Sequence, residues 1–281
     1  MLVLAGNDPR LLGALGLALP MQLEPGTRPF LPEFTDKIIM TGTAQSNAIG
    51  YNRIKLDKTT AKLSLDKRVF KIEGRALLYQ GHLDLRDESD LAKPLPTHAM
   101  NFAMRDVVIN SEVSDLIKQV VPFLSLPLGD IEGKFQADAQ LKAQGRDKET
   151  FLRTTNGSGT AAMPEDVRVT LPAFLQLPRE FSEMKFGKMD SSFAIKDGTM
   201  DSKTVFGAPD LTMKMTGTTQ LPLPQKIEYS IALTGDRVGR DLKRILSKDG
   251  GLPVGISGTL TQPRPKVLFR NLLGPLQDLL K

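Results

Sequence analysis

Few residues of this sequence have types and spacings that could support phosphate binding or catalysis. The Gly-rich run Asn156-Gly157-Ser158-Gly159 resembles a phosphate-binding loop. No Lys-Ser or Lys-Thr pair follows it, and no clear helix begins there, so we predict a plain turn. The same run contains an N-glycosylation sequon, a pattern that is common by chance.

The remaining candidate groups have ordinary structural explanations. The Asp-Gly pairs that begin at Asp197 and Asp249 fit a hairpin turn and a helix end, and they lack the acidic spacing of a calcium loop. The chain has two histidines, His82 and His98, and no cysteine, which excludes disulfides, thiolate zinc sites and a cysteine nucleophile. Neither a nucleophile beside a base nor a carboxylate pair is recognisable. We therefore predict a protein that is not an enzyme and uses no metal or cofactor, with a β-sandwich enzyme or lectin as a weaker alternative.

Composition narrows the classes of partner. The 281 residues include 37 Lys and Arg against 32 Asp and Glu, and this excess of +5 is spread along the chain without a dense basic cluster, so we predict no nucleic-acid binding. Aromatic residues make up 6% and Trp is absent, which argues against a carbohydrate site. The uncharged run 11–23 is broken by Pro20 and is shorter than the roughly 20 residues that cross a bilayer. Asp8 lies where a signal peptide needs a basic region, so no signal peptide is predicted.

The clearest secondary-structure signal is a two-residue alternation of apolar and polar side chains between residues 193 and 233. Successive side chains of a strand point to opposite faces, so each run has one apolar face. Asp197-Gly198 fits a tight hairpin turn, 207–210 fits a loop, and the two prolines of 221–224 exclude a central strand there. The sequence therefore predicts an antiparallel meander with one apolar side. Its apolar positions are Phe193, Ile195, Leu211, Met213, Met215, Ile227, Tyr229, Ile231 and Leu233.

Further short strands are predicted on both sides of this meander. Turn residues such as Asp66-Lys67 and Gly81 separate the upstream strands at the spacing expected of a β-meander, and 91–96 is predicted to be a loop. We divide the chain into an upstream segment, 1–110, and a C-terminal domain, 111–281, that ends in a leucine-rich tail. The predicted strands outside the meander cover 38–44, 49–56, 60–65, 70–78, 82–85, 100–109, 131–143 and 254–260.

Short amphipathic helices are predicted between the strands. Asp8, Ser111, Asp147 and Asp236 are candidate N-caps, and a further helix is predicted within 172–184. Three times a strand leads into a capped helix that ends at a Leu-Pro pair. We predict that these helices cover edges or ends of the sheet. The alternative is that a common strand–helix connection recurs here by chance. The three segments are 2–20, 107–127 and 231–253.

Several motifs together resemble the C-terminal region of AsmA-like proteins of the double-membraned bacterial envelope. The region 186–266 contains a strand closed by Lys196-Asp197-Gly198-Thr199, a Met-rich strand ending in Thr216-Gly217-Thr218 and a Leu-Pro turn. It closes with Leu252-Pro253-Val254-Gly255-Ile256-Ser257-Gly258-Thr259-Leu260 and then Pro263, the most specific segment. Upstream, 126–159 and the start of the chain also fit, so the resemblance covers most of the sequence.

The resemblance implies a mainly β fold: a long, curved antiparallel sheet of the β-groove or taco type, with a few short helices capping its edges and ends. It also implies a periplasmic location, an inner-membrane anchor and a role in outer-membrane assembly or lipid homeostasis through lipid transport. The family's N-terminal membrane helix has no counterpart here, which predicts a fragment or a soluble form. Pro164 also interrupts a strand that the family pattern continues.

These observations predict a non-enzymatic envelope protein whose apolar groove binds or conducts the acyl chains of a phospholipid or another acyl lipid. The alternative is a structural or assembly scaffold in the periplasm, with a sealed core and envelope proteins as partners. The predicted groove lining is Phe193, Ile195, Met213, Met215, Ile227, Tyr229, Ile231 and Leu233.

Overall fold

The computed structural model describes residues 31, 36–51, 54–111, 113, 130–171, 183–236 and 252–266. The first half contains β1 (Met40–Tyr51), β2 (Ile54–Asp66), β3 (Val69–Leu78), β4 (Gly81–Asp90), β5 (Thr97–Ile109), β6 (Ile131–Gln144) and the helix α1 (Lys148–Thr154). The second half contains β7 (Asn156–Met163), β8 (Val167–Thr170), β9 (Glu183–Phe186), β10 (Lys188–Lys196), β11 (Thr199–Gly207), β12 (Thr212–Gln220), β13 (Lys226–Thr234), β14 (Leu252–Thr259) and β15 (Pro263–Lys266).

The fold is mainly β, as predicted: one open antiparallel sheet with 15 strands. Strands β1 to β7 pair in chain order, β10 pairs with β7, and β10 to β15 again follow chain order. The short strands β8 and β9 leave this path, since β8 pairs with the start of β6 and with β9. Strand β5 lies in the predicted upstream segment and β6 in the predicted C-terminal domain. The two strands pair along most of the length of β5, so one sheet contains strands of both segments.

Several turns have the backbone that their residues predict. Asp197 and Gly198 have φ of 47° and 72° in the β10–β11 hairpin, and Lys196 pairs directly with Thr199. Both central residues of a type I′ turn need positive φ, which explains the Asp-Gly pair. The 221–224 segment separates β12 from β13, and 91–96 separates β4 from β5, both as predicted.

Several predicted elements differ from the structure in their bounds or their type. The predicted strand 49–56 is divided, because β1 ends at Tyr51 and β2 begins at Ile54. The predicted strand 82–85 continues to Asp90, and the charged and polar residues of its second half concealed this extension. The predicted turn 156–159 is instead the start of β7.

Two helix starts can be compared with the sequence. Asp147 caps α1 as predicted, because its Oδ1 accepts a hydrogen bond from the backbone N–H of Thr150 at 2.8 Å. At the next predicted helix, Asn110 is the cap in place of Ser111, since Asn110 Oδ1 accepts the N–H of Val113 at 3.0 Å. Most of that helix lies outside the described residues, as do the helices predicted near Asp8 and after Asp236, the segment 172–182 and the leucine-rich tail.

Candidate functional site

One face of the sheet carries the eight side chains predicted to line a groove. Directly opposed residues of neighbouring strands share a face, and Met213 pairs with Leu233 while Met215 pairs with Ile231. Met213 also lies opposite Phe206, which lies opposite Met189. The same register continues from strand to strand, so β10, β12 and β13 present their predicted residues on one side, hereafter the apolar face.

On β10 to β13 the apolar face is closed. The eight predicted residues have between 0% and 6% of their surface exposed. They divide between two buried clusters: Phe193 and Ile195 pack with Leu141 and Met200, and the other six belong to a larger core. Their side chains therefore contact other protein atoms, which is the arrangement of a filled interior.

Three described elements contribute to this closure. The side chains of β8 and β9 alternate, and Val167, Val169 and Met184 are completely buried in the larger core. The ring of Phe186 on β9 lies 5.3 Å from the ring of Phe206. At the other cluster, Leu152 of α1 packs against the buried residues.

Polar side chains inside the closed region pair with one another. The hydroxyl of Tyr229 is 2.9 Å from that of Thr219 and 3.1 Å from that of Ser202. The hydroxyls of Ser191 and Thr204 are 2.8 Å apart. Burial raises the pKa of Tyr229 above its ordinary value. Each of these buried hydroxyls has a partner, as expected of a completed core.

Glycines on neighbouring strands make room for the aromatic rings of this region. A Cβ added to Gly159 of β7 would lie 2.4 Å from Cζ of Phe193 and 2.5 Å from the carbonyl oxygen of Asp138. A Cβ added to Gly217 of β12 would lie 2.6 Å from Cδ1 of Tyr229. The predicted turn at 156–159 is therefore part of a strand, and its Gly159 leaves room for the ring of Phe193 on the next strand.

The same apolar face is less covered on β2 to β5. Leu65 pairs with Phe70 and Leu63 with Ile72, and the rows continue through β4 to β5. These side chains are half-buried, in contrast to those of β10 to β13. We call this region the β2–β5 patch; its apolar members are Leu63, Leu65, Phe70, Ile72, Leu85, Met100 and Phe102.

A polar trio lies within the β2–β5 patch. Ser89 Oγ donates a hydrogen bond to Asp87 Oδ2 at 2.7 Å and lies 2.7 Å from Nδ1 of His98. Burial raises the pKa of Asp87, and the hydrogen bond from Ser89 opposes that increase. Oδ1 of Asp87 is buried and has no hydrogen-bond partner.

This trio does not have the arrangement of a hydrolase triad. In such a triad the imidazole lies between the carboxylate and the nucleophilic hydroxyl, whereas here the hydroxyl of Ser89 lies between Asp87 and His98. Ser89 is also only 4% exposed, so a substrate carbonyl has no access to its oxygen. The trio is a buried polar contact within an apolar surface.

A polar cleft of about 530 Å³ lies where β4, β5 and β6 meet α1 and the start of β7. Several of its charged residues are paired: Glu88 with Lys71 at 2.9 Å, and Asp90 with Lys93 at 3.3 Å. Its lining differs from the apolar groove that the sequence predicts. The lining residues are Glu88, Asp90, Thr97, His98, Ala99, Lys142, Ala143, Gln144, Arg153, Thr154, Asn156 and Asp197.

The described residues contain neither a metal-ion site nor a membrane-spanning helix. In that part of the chain, no three His, Cys, Asp or Glu side chains are grouped closely enough to hold a metal ion. None of the helices described there has both the length and the apolar character needed to cross a membrane.

Sequence reasoning placed the predicted lining on the correct strands and on one face. It missed the β2–β5 patch, although Leu63, Leu65, Phe70 and Ile72 show the same alternation as the later strands. Alternation identifies an apolar face but carries no information about the elements that cover it. No protein-family model, curated protein or solved structure matches the chain.

Proposed function

We propose that this chain is a non-enzymatic protein that binds acyl lipids along the β2–β5 patch. Following the AsmA-like resemblance of its sequence, we place it in the periplasm of a double-membraned bacterium. There it takes part in lipid transport or outer-membrane assembly, in association with the inner membrane. The acyl ligand is a phospholipid or another lipid with long alkyl chains.

The observation that carries the proposal is the change in burial along one apolar face. The apolar side chains of β10 to β13 are almost completely buried, whereas those of the β2–β5 patch remain half-buried. A contiguous apolar surface that a protein leaves open commonly marks a lipid, membrane or protein site. The patch lacks the flat Trp rings of carbohydrate sites, and its Leu, Ile, Met and Phe side chains suit a flexible alkyl chain.

The free energy of such binding can be derived from the apolar surface that the alkyl chain buries. Complete burial of a CH₂ group is worth about 0.8 kcal/mol. A chain lying on an open sheet is covered on one side only, so about half of that value applies, and about ten methylenes contribute roughly 4 kcal/mol before entropy costs. Even without those costs, this corresponds to no better than millimolar binding for one isolated chain. A lipid with two chains, or a second covering surface, is needed for tighter binding.

The test compares two adjacent residues of β4 that point to opposite faces. Leu85 lies in the patch, and Arg86 is exposed on the polar face opposite Glu73. We expect Leu85→Asp to abolish uptake of a fluorescent phospholipid and recovery of co-purified lipid by native mass spectrometry. Arg86→Asp introduces the same carboxylate on the other face and should retain both signals.

Circular dichroism of both variants checks that the sheet is intact. If the unaltered chain is purified without lipid and takes up no fluorescent phospholipid, the proposal is wrong. Equal loss in both variants would also contradict it, because charge rather than the apolar face would then determine uptake.

A second candidate function is a periplasmic scaffold with protein partners. The closed core of β10 to β13 and its paired hydroxyls favour this candidate, since that part of the protein resembles a structural core. In a scaffold, the β2–β5 patch would contact a protein. Leu85→Asp would then abolish capture of an envelope protein and leave phospholipid uptake absent in both the variant and the unaltered chain.

A further inference from the structure

Strand β1 is an edge strand of the described sheet. Among the described residues it pairs only with β2. It is 12 residues long and contains neither a charged residue nor a proline. Edge strands usually carry lysines, prolines or bulges that prevent pairing with another chain, and β1 has no such residue.

The opposite edge is protected. Strand β15 has four residues, Pro263, Arg264, Pro265 and Lys266. Its prolines lack a backbone N–H and its other two residues are cationic, so a further strand is disfavoured there. This asymmetry argues against head-to-tail pairing of β1 with β15 of another copy.

Exposed apolar side chains lie at both ends of β1. Ile39, just before the strand, is 74% exposed, Met40 is 60% exposed and Ile49 is 42% exposed. Most of the residues between them are small or polar and exposed. The strand thus has two apolar ends around a neutral centre.

Met40 and Ile49 point to the same face of the sheet. Met40 pairs with Leu65, which pairs with Phe70; Ile49 pairs with Leu56, which pairs with Leu78. Phe70 and Leu78 are eight residues apart on β3 and therefore share a face. Met40 and Ile49 are nine residues apart, as are their partners Leu65 and Leu56 on β2, and on regular strands such residues would point to opposite faces. Strand β2 contains a bulge, one extra residue between Asp57 and Thr60 where Lys58 has φ of 47°, and this bulge restores a common face.

We propose that β1 pairs with β1 of a second copy of this chain, antiparallel and about a two-fold axis near Gln45. The axis brings Met40 of one copy close to Ile49 of the other on the apolar face, at both ends of the interface. A strand without charge can lie beside its own copy without like-charge repulsion. A two-fold contact of this kind uses the same surface twice and closes, so it forms a dimer rather than a filament.

The dimer places the β2–β5 patches of two copies on the same face of one continuous sheet. This inference rests on the edge strand and not on the proposed function, since a dimer without bound lipid satisfies it. Sedimentation tests the dimer and lipid uptake tests lipid binding, so one proposal can fail without the other.

Charge substitutions at the axis provide the test. Gln45 is exposed, and the proposed two-fold axis places it near its own copy. We expect the unaltered chain to sediment as a dimer at micromolar concentration and Gln45→Lys and Gln45→Glu each to weaken the dimer roughly fivefold or more, because like charges then oppose one another. Mixing the two variants should restore a dimer. Thr216→Lys, on the exposed face of the interior strand β12, is the matched control and should not change the dimer.

Cysteine cross-linking locates the interface, since the chain has no native cysteine. Single cysteines placed at positions 41 to 49 should form disulfide-linked dimers, with the highest yield at or next to Gln45→Cys and low yield at Thr216→Cys. A chain that is monomeric at all concentrations overturns the proposal, as does a dimer that Gln45→Lys leaves unchanged. Aggregates of undefined size also overturn it.

Discussion

A comparison of Ile231 with Leu85 tests whether the two ends of the apolar face differ as the burial indicates. Ile231 is 1% exposed within the larger core, and Leu85 is half-buried in the β2–β5 patch. Each residue can be replaced by Ala, which removes similar numbers of methyl and methylene groups. Because the chemistry of the two substitutions is nearly equal, the difference between them reports the packing around each side chain.

The expected magnitudes follow from burial. Ile231→Ala removes fully buried groups and leaves a cavity, so it should lower the free energy of unfolding by about 3 to 4 kcal/mol. Leu85→Ala removes groups that are partly in water and should cost about 1 kcal/mol. Ile231→Asp adds an unpaired buried charge, and its cost of about 5 kcal/mol or more approaches the whole stability of a typical domain.

Urea denaturation followed by far-UV circular dichroism measures these values, since the chain has no Trp to serve as a fluorescence probe. We expect the midpoint for Ile231→Ala to fall well below that for Leu85→Ala, and Ile231→Asp to be largely unfolded without urea. Equal losses for the two Ala variants would refute the division of the face into a closed and an open part. A folded Ile231→Asp that has lost lipid would instead support a groove at the originally predicted residues.

Three further predictions concern single contacts. Gly159→Ala should cost about 1 to 3 kcal/mol because its Cβ meets backbone, while Gly42→Ala, with open space around the Cβ, should change the urea midpoint little. Tyr229→Phe should cost about 1 to 2 kcal/mol, since the completely buried hydroxyl of Thr219 loses its partner; Thr219→Val in the same background should recover part of the loss. The pKa of Asp87 is raised from 3.8 in the folded state, so its contribution to stability falls as the pH increases through the range between the two pKa values. Asp87→Asn removes that loss, and its urea midpoint relative to the unaltered chain should be higher at pH 7 than at pH 3; an unchanged difference would contradict this reasoning.

The sequence predicted those strands whose side chains alternate without interruption. Ile131 to Ala143 and Ile227 to Leu233 have this pattern, and each lies in a strand with nearly the same bounds. Asp197-Gly198 predicted its hairpin because the turn geometry requires positive φ, which these residues tolerate. In each case the local residues alone determine the backbone.

Strand β7 could not be predicted from its own residues. Asn156, Gly157, Ser158 and Gly159 are turn-forming types, and the reason for two glycines lies on the neighbouring strands. The ring of Phe193 occupies the space above Gly159, and the backbone and side chain of Leu141 lie close to Gly157. Cross-strand packing of this kind overrides local propensity and requires the register, which the sequence does not supply.

The candidate site depended on the same missing information. Met213 and Met100 both occupy apolar positions of alternating strands, yet Met213 is completely buried and Met100 is half-buried. Among the described elements, β8, β9 and α1 pack against the closed part of the face. The short strands β8 and β9 were not predicted, so the sequence located the apolar face and not its open part.

Hydrogen bonding of buried polar groups distinguishes the closed part of the apolar face from the β2–β5 patch, and it does so independently of side-chain exposure. A completed protein interior provides hydrogen bonds for nearly all of its buried polar atoms. In the closed part, the hydroxyls of Ser191, Thr204 and Tyr229 all have partners. On β2 and β4, the hydroxyl of Thr59 and Oδ1 of Asp87 are buried without one. Among the described residues, β2 and β4 therefore carry both half-buried apolar side chains and buried polar atoms without partners, which favours the β2–β5 patch over the closed core as the surface where a ligand or a protein completes the packing.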